Sequence, residues 1–211
     1  MEAYRTAAAP GEAALVIQKS RFIGRCFPVE SEAAAQAALA EIRKKHWDAS
    51  HNCYAYRIGP GGACARYSDD GEPGGTAGLP MLAVLNGRGL TDTLVVATRY
   101  FGGVLLGAGG LARAYSKAAA EAVRAAGAVE LLPALRFDLR VPYNRYGALE
   151  ALLREEAQVE ETAFSEEVRV LALVREDRAE AFCKAAVEKS GGRCRPLPAG
   201  EGKLRRPVPE P

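Results

Sequence analysis

One stretch limits the folds open to this chain more than any other: Thr98 to Tyr115, TRYFGGVLLGAGGLARAY, just after the most strand-like run in the sequence. Leu90 to Ala97 ends in Leu94-Val95-Val96-Ala97, apolar and partly β-branched, as a buried strand requires. Gly102, Gly103, Gly107, Gly109 and Gly110 are too many for a strand or helix interior, and they let backbone amides approach a ligand closely. A helix is expected next. Leu111, Ala114, Tyr115, Ala118, Ala122 and Val123 recur at three- and four-residue steps as one apolar stripe, with Arg113, Lys117 and Arg124 on the other side. Between Thr98 and Ala120 the only charged residues are Arg99, Arg113 and Lys117. Cations at a helix start oppose its dipole unless an anion sits there. The segment therefore reads either as a phosphate site, with Arg99, Gly102, Gly103, Gly107, Gly109, Gly110, Arg113 and Lys117 as its residues, or as a glycine-rich turn beside a solvated basic face.

The formal charge of +2 is too small for a wholly basic nucleic-acid binder, so any such contact has to come from a local patch. Five cysteines, with no C-x-x-C pair, argue against a disulfide framework and for reduced cytosolic thiols. The N-terminal residues carry Glu2, Glu12 and Pro10-Gly11 and do not read as a signal peptide, and no apolar run has membrane-spanning length. A cytoplasmic protein that does not contact membranes is the expectation.

In chain order, Ala13–Ile17 and Phe22–Val29 are expected strands around a basic turn, Lys19-Ser20-Arg21. Ser31 is placed to cap an alanine-rich helix that closes in Arg43-Lys44-Lys45. His51 to Ile58 and Cys64 to Tyr67 read as a hairpin around Gly59-Pro60-Gly61-Gly62. His51, Cys53 and Cys64 lack the fourth ligand and paired spacing of a zinc site, so no metal is assigned.

The second unusual stretch is Ser68 to Gly78, SDDGEPGGTAG. Its carboxylates Asp69, Asp70 and Glu72 repel one another unless cations answer them. They either hold Mg²⁺, orient a water, or pair with Arg99 and Arg113 within the fold. Thr76 is a candidate cap for a helix over Ala77 to Asn86.

Familiar motifs fare poorly. A Walker loop needs Lys and Ser/Thr where Ala108-Gly109 stand. Gly107-x-Gly109-x-x-Ala112 matches the dinucleotide fingerprint, but Val104 to Leu106 is a very short first strand and too few α/β units follow. With two histidines and no G-x-S-x-G elbow, nucleophilic catalysis has little to draw on.

From Pro133 the order is strand Leu135–Val141, helix Tyr143–Ala157, strands Val159–Phe164 and Glu167–Val174, helix Asp177–Ser190 and a short strand near Arg193–Leu197. This is β-α-β-β-α-β, a ferredoxin-like split βαβ. Tyr143, Arg145 and Tyr146 at a helix start either stack on a base or simply cap and pack. The expected division is residues 1–130, residues 131–199 and a flexible tail over 200–211.

Four ordered blocks carry a resemblance: Lys19-Ser20-Arg21-Phe22; Ala49-Ser50-His51-Asn52-Cys53-Tyr54-Ala55-Tyr56; Asp69-Asp70-Gly71-Glu72-Pro73 with Gly75 to Gly78; and Thr98 to Gly103 through Gly107 to Tyr115. Together they resemble the signature blocks of the IMPACT/YigZ family, which adds His51 and Asn52 to the signature residues. The resemblance implies an α/β (α+β) chain whose N-terminal domain has the left-handed βαβ fold of the second domain of a small-subunit ribosomal protein. It implies a C-terminal ferredoxin-like domain similar to the last domain of elongation factor G. Eukaryotic relatives regulate translation and carry an RWD domain; no room for one is expected ahead of Lys19, so that partner domain and its kinase-pathway role are not transferred. Leu105 stands where eukaryotic members often carry Lys, which thins the basic patch.

The leading expectation is a non-catalytic phosphate- or nucleic-acid-binding protein, associated with RNA or the ribosome and without a cofactor. The competing class is an enzyme acting on a phosphorylated small molecule, with Asp69, Asp70 and Glu72 facing the glycine-rich site. A third is an interaction module whose signature blocks serve the fold. Acidic and glycine-rich loops lining one pocket favour the enzyme, whereas an open basic surface with exposed Tyr100, Phe101 or Tyr143 favours nucleic acid.

Overall fold

The computed structural model describes residues 2–208. Its strands and helices are β1 (Tyr4–Ala7), β2 (Gly11–Ile17), β3 (Ser20–Pro28), α1 (Glu32–Lys45), β4 (His51–Ile58), β5 (Cys64–Ser68), α2 (Gly78–Gly87), β6 (Thr93–Tyr100), α3 (Gly107–Ala126), β7 (Ala128–Val141), α4 (Tyr143–Glu156), β8 (Ala157–Phe164), β9 (Val168–Arg175), α5 (Ala179–Lys189) and β10 (Leu197–Pro207). Contacts gather into two units, essentially residues 4–130 and 131–206.

In the first unit the sheet order is β2-β3-β6-β4-β5. β6 runs antiparallel to both β3 and β4. The α1 connection therefore joins two strands of the same sense with an antiparallel strand between them. β6 is buried on both faces, which is why it reads as a continuous apolar run. Its Val95 and Ala97 pack with α2 and α3, while Leu94 and Val96 pack with Leu39 and Ile42 of α1. Ser31 caps α1, its hydroxyl accepting from Ala34 N at 3.1 Å. The β2–β3 turn bends at Gln18 and Lys19, both at positive φ, one step earlier than the expected Lys19-Ser20-Arg21.

The second unit holds the βαββαβ order. β9 is antiparallel to β7 and β8, and β10 lies on the other side of β7, giving β10-β7-β9-β8. This is the ferredoxin-like strand order. Phe137, Leu139 and Val141 of β7 alternate with polar residues, and with Val168, Val170, Ala172 and Val174 of β9 they form the face that packs on Leu149, Leu152 and Leu153 of α4 and Phe182 of α5. The opposite face carries ion pairs such as Arg169–Asp138 at 2.8 Å.

Three expectations are corrected. β6 begins at Thr93 and reaches Tyr100, so Thr98 and Arg99 lie in the central strand. The stretch expected as a flexible tail is strand β10 through Pro207, and residues 209–211 fall outside the described residues. A Cβ on Gly202 would strike the Leu173 side chain, so this glycine lets the strand lie close. Thr76 does not cap α2; its hydroxyl donates to Pro73 O at 2.6 Å. No helix among the described residues is long and apolar enough to cross a membrane.

Candidate functional site

The two unusual stretches meet. β6 ends at Tyr100, residues 101–106 cross without regular structure, and α3 starts at Gly107. The absence of a strand at Val104–Leu106 removes the dinucleotide fingerprint's context. Gly107, Gly109 and Gly110 are the first turn of the helix rather than a loop before it, a placement tolerable because that turn is largely exposed. Gly102 is needed for a different reason: a Cβ there would run into the Lys19 carbonyl, so the β2–β3 turn packs directly on it.

A cavity of about 370 Å³ lies between the acidic turn and the start of α3. His51, Glu72, Arg99, Phe101, Leu105 and Leu106 line it, together with Pro73, Gly107, Ala108 and Leu111. At its base Glu72 is buried, and its Oε1 accepts from Arg99 Nη1 and from the Tyr115 hydroxyl, both at 2.7 Å. Arg99 Nη2 donates to Ser20 Oγ at 3.2 Å, while its Nε is buried without an acceptor among the described residues. The rings of Phe22 and Phe101 lie 5.5 and 5.4 Å from the guanidinium. Arg99 is thus turned inward and charge-matched, and of the expected cations Arg113 and Lys117 stand exposed. Arg113 leans back over the first turn of α3, its Nη1 3.4 Å from where a Cβ on Gly109 would stand.

His51 Nδ1 lies 2.8 Å from Asp70 O. A carbonyl oxygen only accepts, so Nδ1 carries a proton. Nε2 is 3.8 Å from Glu72 Oε1.

The other two carboxylates hold the turn together. Asp69 Oδ1 accepts from Ala77 N and Gly78 N at 2.9 and 2.8 Å, and Oδ2 from Gly75 N at 2.8 Å, so Asp69 caps the start of α2 from eight residues away. Burial would raise its pKa, but these amides outweigh that effect and hold the carboxyl below its ordinary value. Asp70 accepts from Asn52 N at 2.6 Å and from Arg43 at 3.2 Å. Pairing within the fold therefore answers these charges, with Arg43 in the place expected for Arg113. The Asn52 amide group accepts from Thr98 Oγ1 at 2.8 Å and donates to His46 O at 3.3 Å, fixing β4 to β6 at this end.

Sequence reading placed Tyr115 in the apolar stripe of α3 and at the end of a signature block, and missed its hydroxyl's role. A buried tyrosine needs a partner for its O–H, which was the available signal. Burial, then neighbouring Cys53 and Glu72, push its pKa up, and burial pushes the Cys53 thiol up to about 12. Neither serves as a ready nucleophile or base. In the second unit Tyr143 donates to Ser165 O at 2.8 Å and stacks on Phe164, so its ring packs on the end of β8 and does not cap the helix.

The chain is similar to known proteins over both units. The Impact N-terminal domain matches residues 18–123, which contain the whole cavity, and a domain of unknown function, DUF1949, matches residues 139–193. The IMPACT family member YvyE of Bacillus subtilis is 42% identical over 92% of this chain and 89% of its own. The IMPACT family member YigZ of Escherichia coli is 39% identical over 72% of this chain and 76% of its own. A crystal structure of a hypothetical protein superposes with a TM-score of 0.62 at 34% identity, covering 93% of this chain and 97% of that one. With the Impact N-terminal domain matched over half of the chain and relatives aligned across most of its length, the chain belongs to the IMPACT family.

Proposed function

We propose that the protein binds RNA without catalysing a reaction, through the cavity and the exposed start of α3, and acts in association with the translation machinery. The observation that carries this reading is the contrast between the cavity's base and its rim. At the base Glu72 and Arg99 are buried and already paired with each other, and Glu72 also accepts from Tyr115. At the rim Phe101 is 49% and Leu105 85% exposed, beside exposed Arg113 and Lys117 on α3 and exposed Lys19 and Arg21 on the neighbouring turn. Exposed aromatic and cationic side chains around backbone amides suit stacking and phosphate contact. The resemblance of the second unit to a domain of elongation factor G supports the translation context by fold analogy.

Binding of labelled single-stranded RNA at two salt concentrations tests the reading. Wild type is expected to lose affinity steeply as salt rises, and Arg113→Ala/Lys117→Ala to bind more weakly with a shallower salt slope. Absence of binding at low salt overturns it.

The second reading, an enzyme acting on a phosphorylated small molecule, draws on one specific observation: Glu72 of the acidic turn and Gly107 of the glycine-rich segment do line one cavity. Turnover of a phosphorylated compound that is lost in His51→Ala supports it over RNA binding.

A further inference from the structure

Trp47, the single tryptophan of the chain, is 84% exposed. It follows the last turn of α1, which ends in Arg43, Lys44 and Lys45. Cations there suit the helix dipole, so the fold accounts for them. It does not account for an indole left in water. One exposed apolar side chain on its own is ordinary, but Trp47 has company at this end of the sheet.

The turn that carries it is tied to the rim of the cavity. His46 Nδ1 lies 2.8 Å from the Tyr100 hydroxyl, which donates to Asp48 Oδ1 at 3.2 Å. Ser50 N donates to Arg99 O at 2.9 Å, and Ser50 Oγ accepts from Phe101 N at 3.1 Å. Trp47 is three residues from Ser50, at most about 11 Å of chain. On the other flank, Arg21 is the partner of Tyr100 in the β3–β6 ladder, and the exposed Val16 is the partner of Arg21 on β2. The exposed rings of Trp47 and Phe101 therefore belong to adjoining turns, and the cations Lys19, Arg21, Lys44 and Lys45 on these turns are exposed as well. None of the four has an ion pair among the described residues. The neighbouring charges are already answered: Arg43 pairs with Asp70 at 3.2 Å, and Asp48, the one carboxylate between Arg43 and Ser50, accepts from Tyr100.

An unanswered surplus of cations beside two exposed rings fits a polyanion with flat faces. Lysine is depleted from the cores of protein–protein interfaces, so three lysines in one patch speak against a protein partner. A single RNA strand meets both features, since its bases stack on the rings while its phosphates stay with the cations. We infer that the Trp47 indole is a stacking platform for one base of an RNA strand that runs from Phe101 past Tyr100 to the end of α1, with Arg21, Lys44 and Lys45 against its phosphates. The inference rests on the RNA-binding reading above and carries the bound strand beyond the cavity, onto a surface that the cavity does not include.

Because Trp47 is the only indole, its fluorescence reports this contact alone. Titration with dodecauridylate at low salt is expected to quench it in parallel with the binding measured on labelled RNA, and added salt to restore it. Trp47→Ala, whose urea midpoint is expected to match wild type because the side chain is exposed, should weaken binding at least about 5-fold, the low end of what one base stacked on an aromatic ring contributes. Trp47→Phe should recover most of that loss, and Lys44→Ala/Lys45→Ala should make the salt dependence shallower. If labelled RNA binds while the indole signal stays constant and Trp47→Ala binds like wild type, the Trp47 platform is overturned and the RNA-binding reading stands, provided Arg113→Ala/Lys117→Ala still weakens binding. Self-association of wild type in sedimentation that is lost in Trp47→Ala, with RNA affinity unchanged, also overturns it and assigns the indole to a contact between copies. Absence of RNA binding at low salt overturns both.

Discussion

Glu72 ties together a strand, a helix and a turn, because one carboxylate oxygen takes hydrogen bonds from Arg99 on β6 and Tyr115 on α3. Removing it leaves a guanidinium buried and unpaired, so Glu72→Ala is expected to cost about 3–5 kcal/mol in urea denaturation. Tyr115→Phe removes one donor of a shared acceptor and is expected to cost about 1–2 kcal/mol. A second buried network sets a pH dependence. Arg25 Nη2 donates to His46 Nε2 at 2.8 Å, which leaves Nδ1 to donate to Tyr100. Burial first, then Arg25, lower the His46 pKa from its ordinary 6.5. The unfolded chain then takes up a proton before the folded one, so stability is full above about 6.5 and falls as pH drops toward the folded value. Urea midpoints measured from pH 8 down to about 5.5 are expected to fall in wild type and to stay flatter in His46→Gln. Arg99 and Glu72 were visible in the sequence because charge among glycines is conspicuous, and His51 was visible only through the signature block that carries it. The roles of Tyr115 and Asp69 were not visible: the first is set by a partner 43 residues away, and the second by backbone amides that carry no side-chain signature.

Elements were legible where burial imposes a period. β6 reads as a strand because both its faces are covered, and the stripe of α3 was correct residue by residue, its Leu111, Ala114, Tyr115, Ala118, Ala122 and Val123 all buried. Glycine misled because it has two opposite uses. Gly107, Gly109 and Gly110 looked like a loop and form a helical turn, while the glycines of the supposed tail lie in β10. One glycine that packing requires drew no attention. A Cβ on Gly24 of β3 would strike the Ala118 carbonyl, so α3 rests directly on the strand backbone there. Neither backbone is free to yield as a flexible side chain would. Gly24→Ala is therefore expected to destabilise by about 1–3 kcal/mol through overpacking, read as a lowered urea midpoint. Gly74→Ala, where a Cβ meets open space at ordinary φ, is the control and should leave the midpoint close to wild type.

At the scale of the molecule, the cores are separate lists of residues. Leu39 and Ile42 pack with Val96 and Tyr56 in the first unit, whereas Phe182 packs with Phe137, Leu139 and Val174 in the second. Among the described residues no buried side chain belongs to both sets, so deletion of side-chain volume acts on one core at a time. Both Leu39 and Phe182 are almost completely enclosed, and truncating either to alanine is expected to cost about 2–5 kcal/mol in the unit that contains it. Two cores of this kind need not melt together, and a single free energy of unfolding then ceases to describe the chain. The expected outcome is two calorimetric transitions, with Leu39→Ala lowering one and Phe182→Ala lowering the other. The same pair of variants separates the units by function. The candidate site is built entirely from residues of the first unit, so RNA binding at a temperature below both transitions should survive Phe182→Ala and weaken with Leu39→Ala as that unit's melting point approaches the assay temperature. One cooperative transition shifted by both substitutions would mean that the two cores unfold as a unit, and would make the binding loss in either variant a matter of global stability.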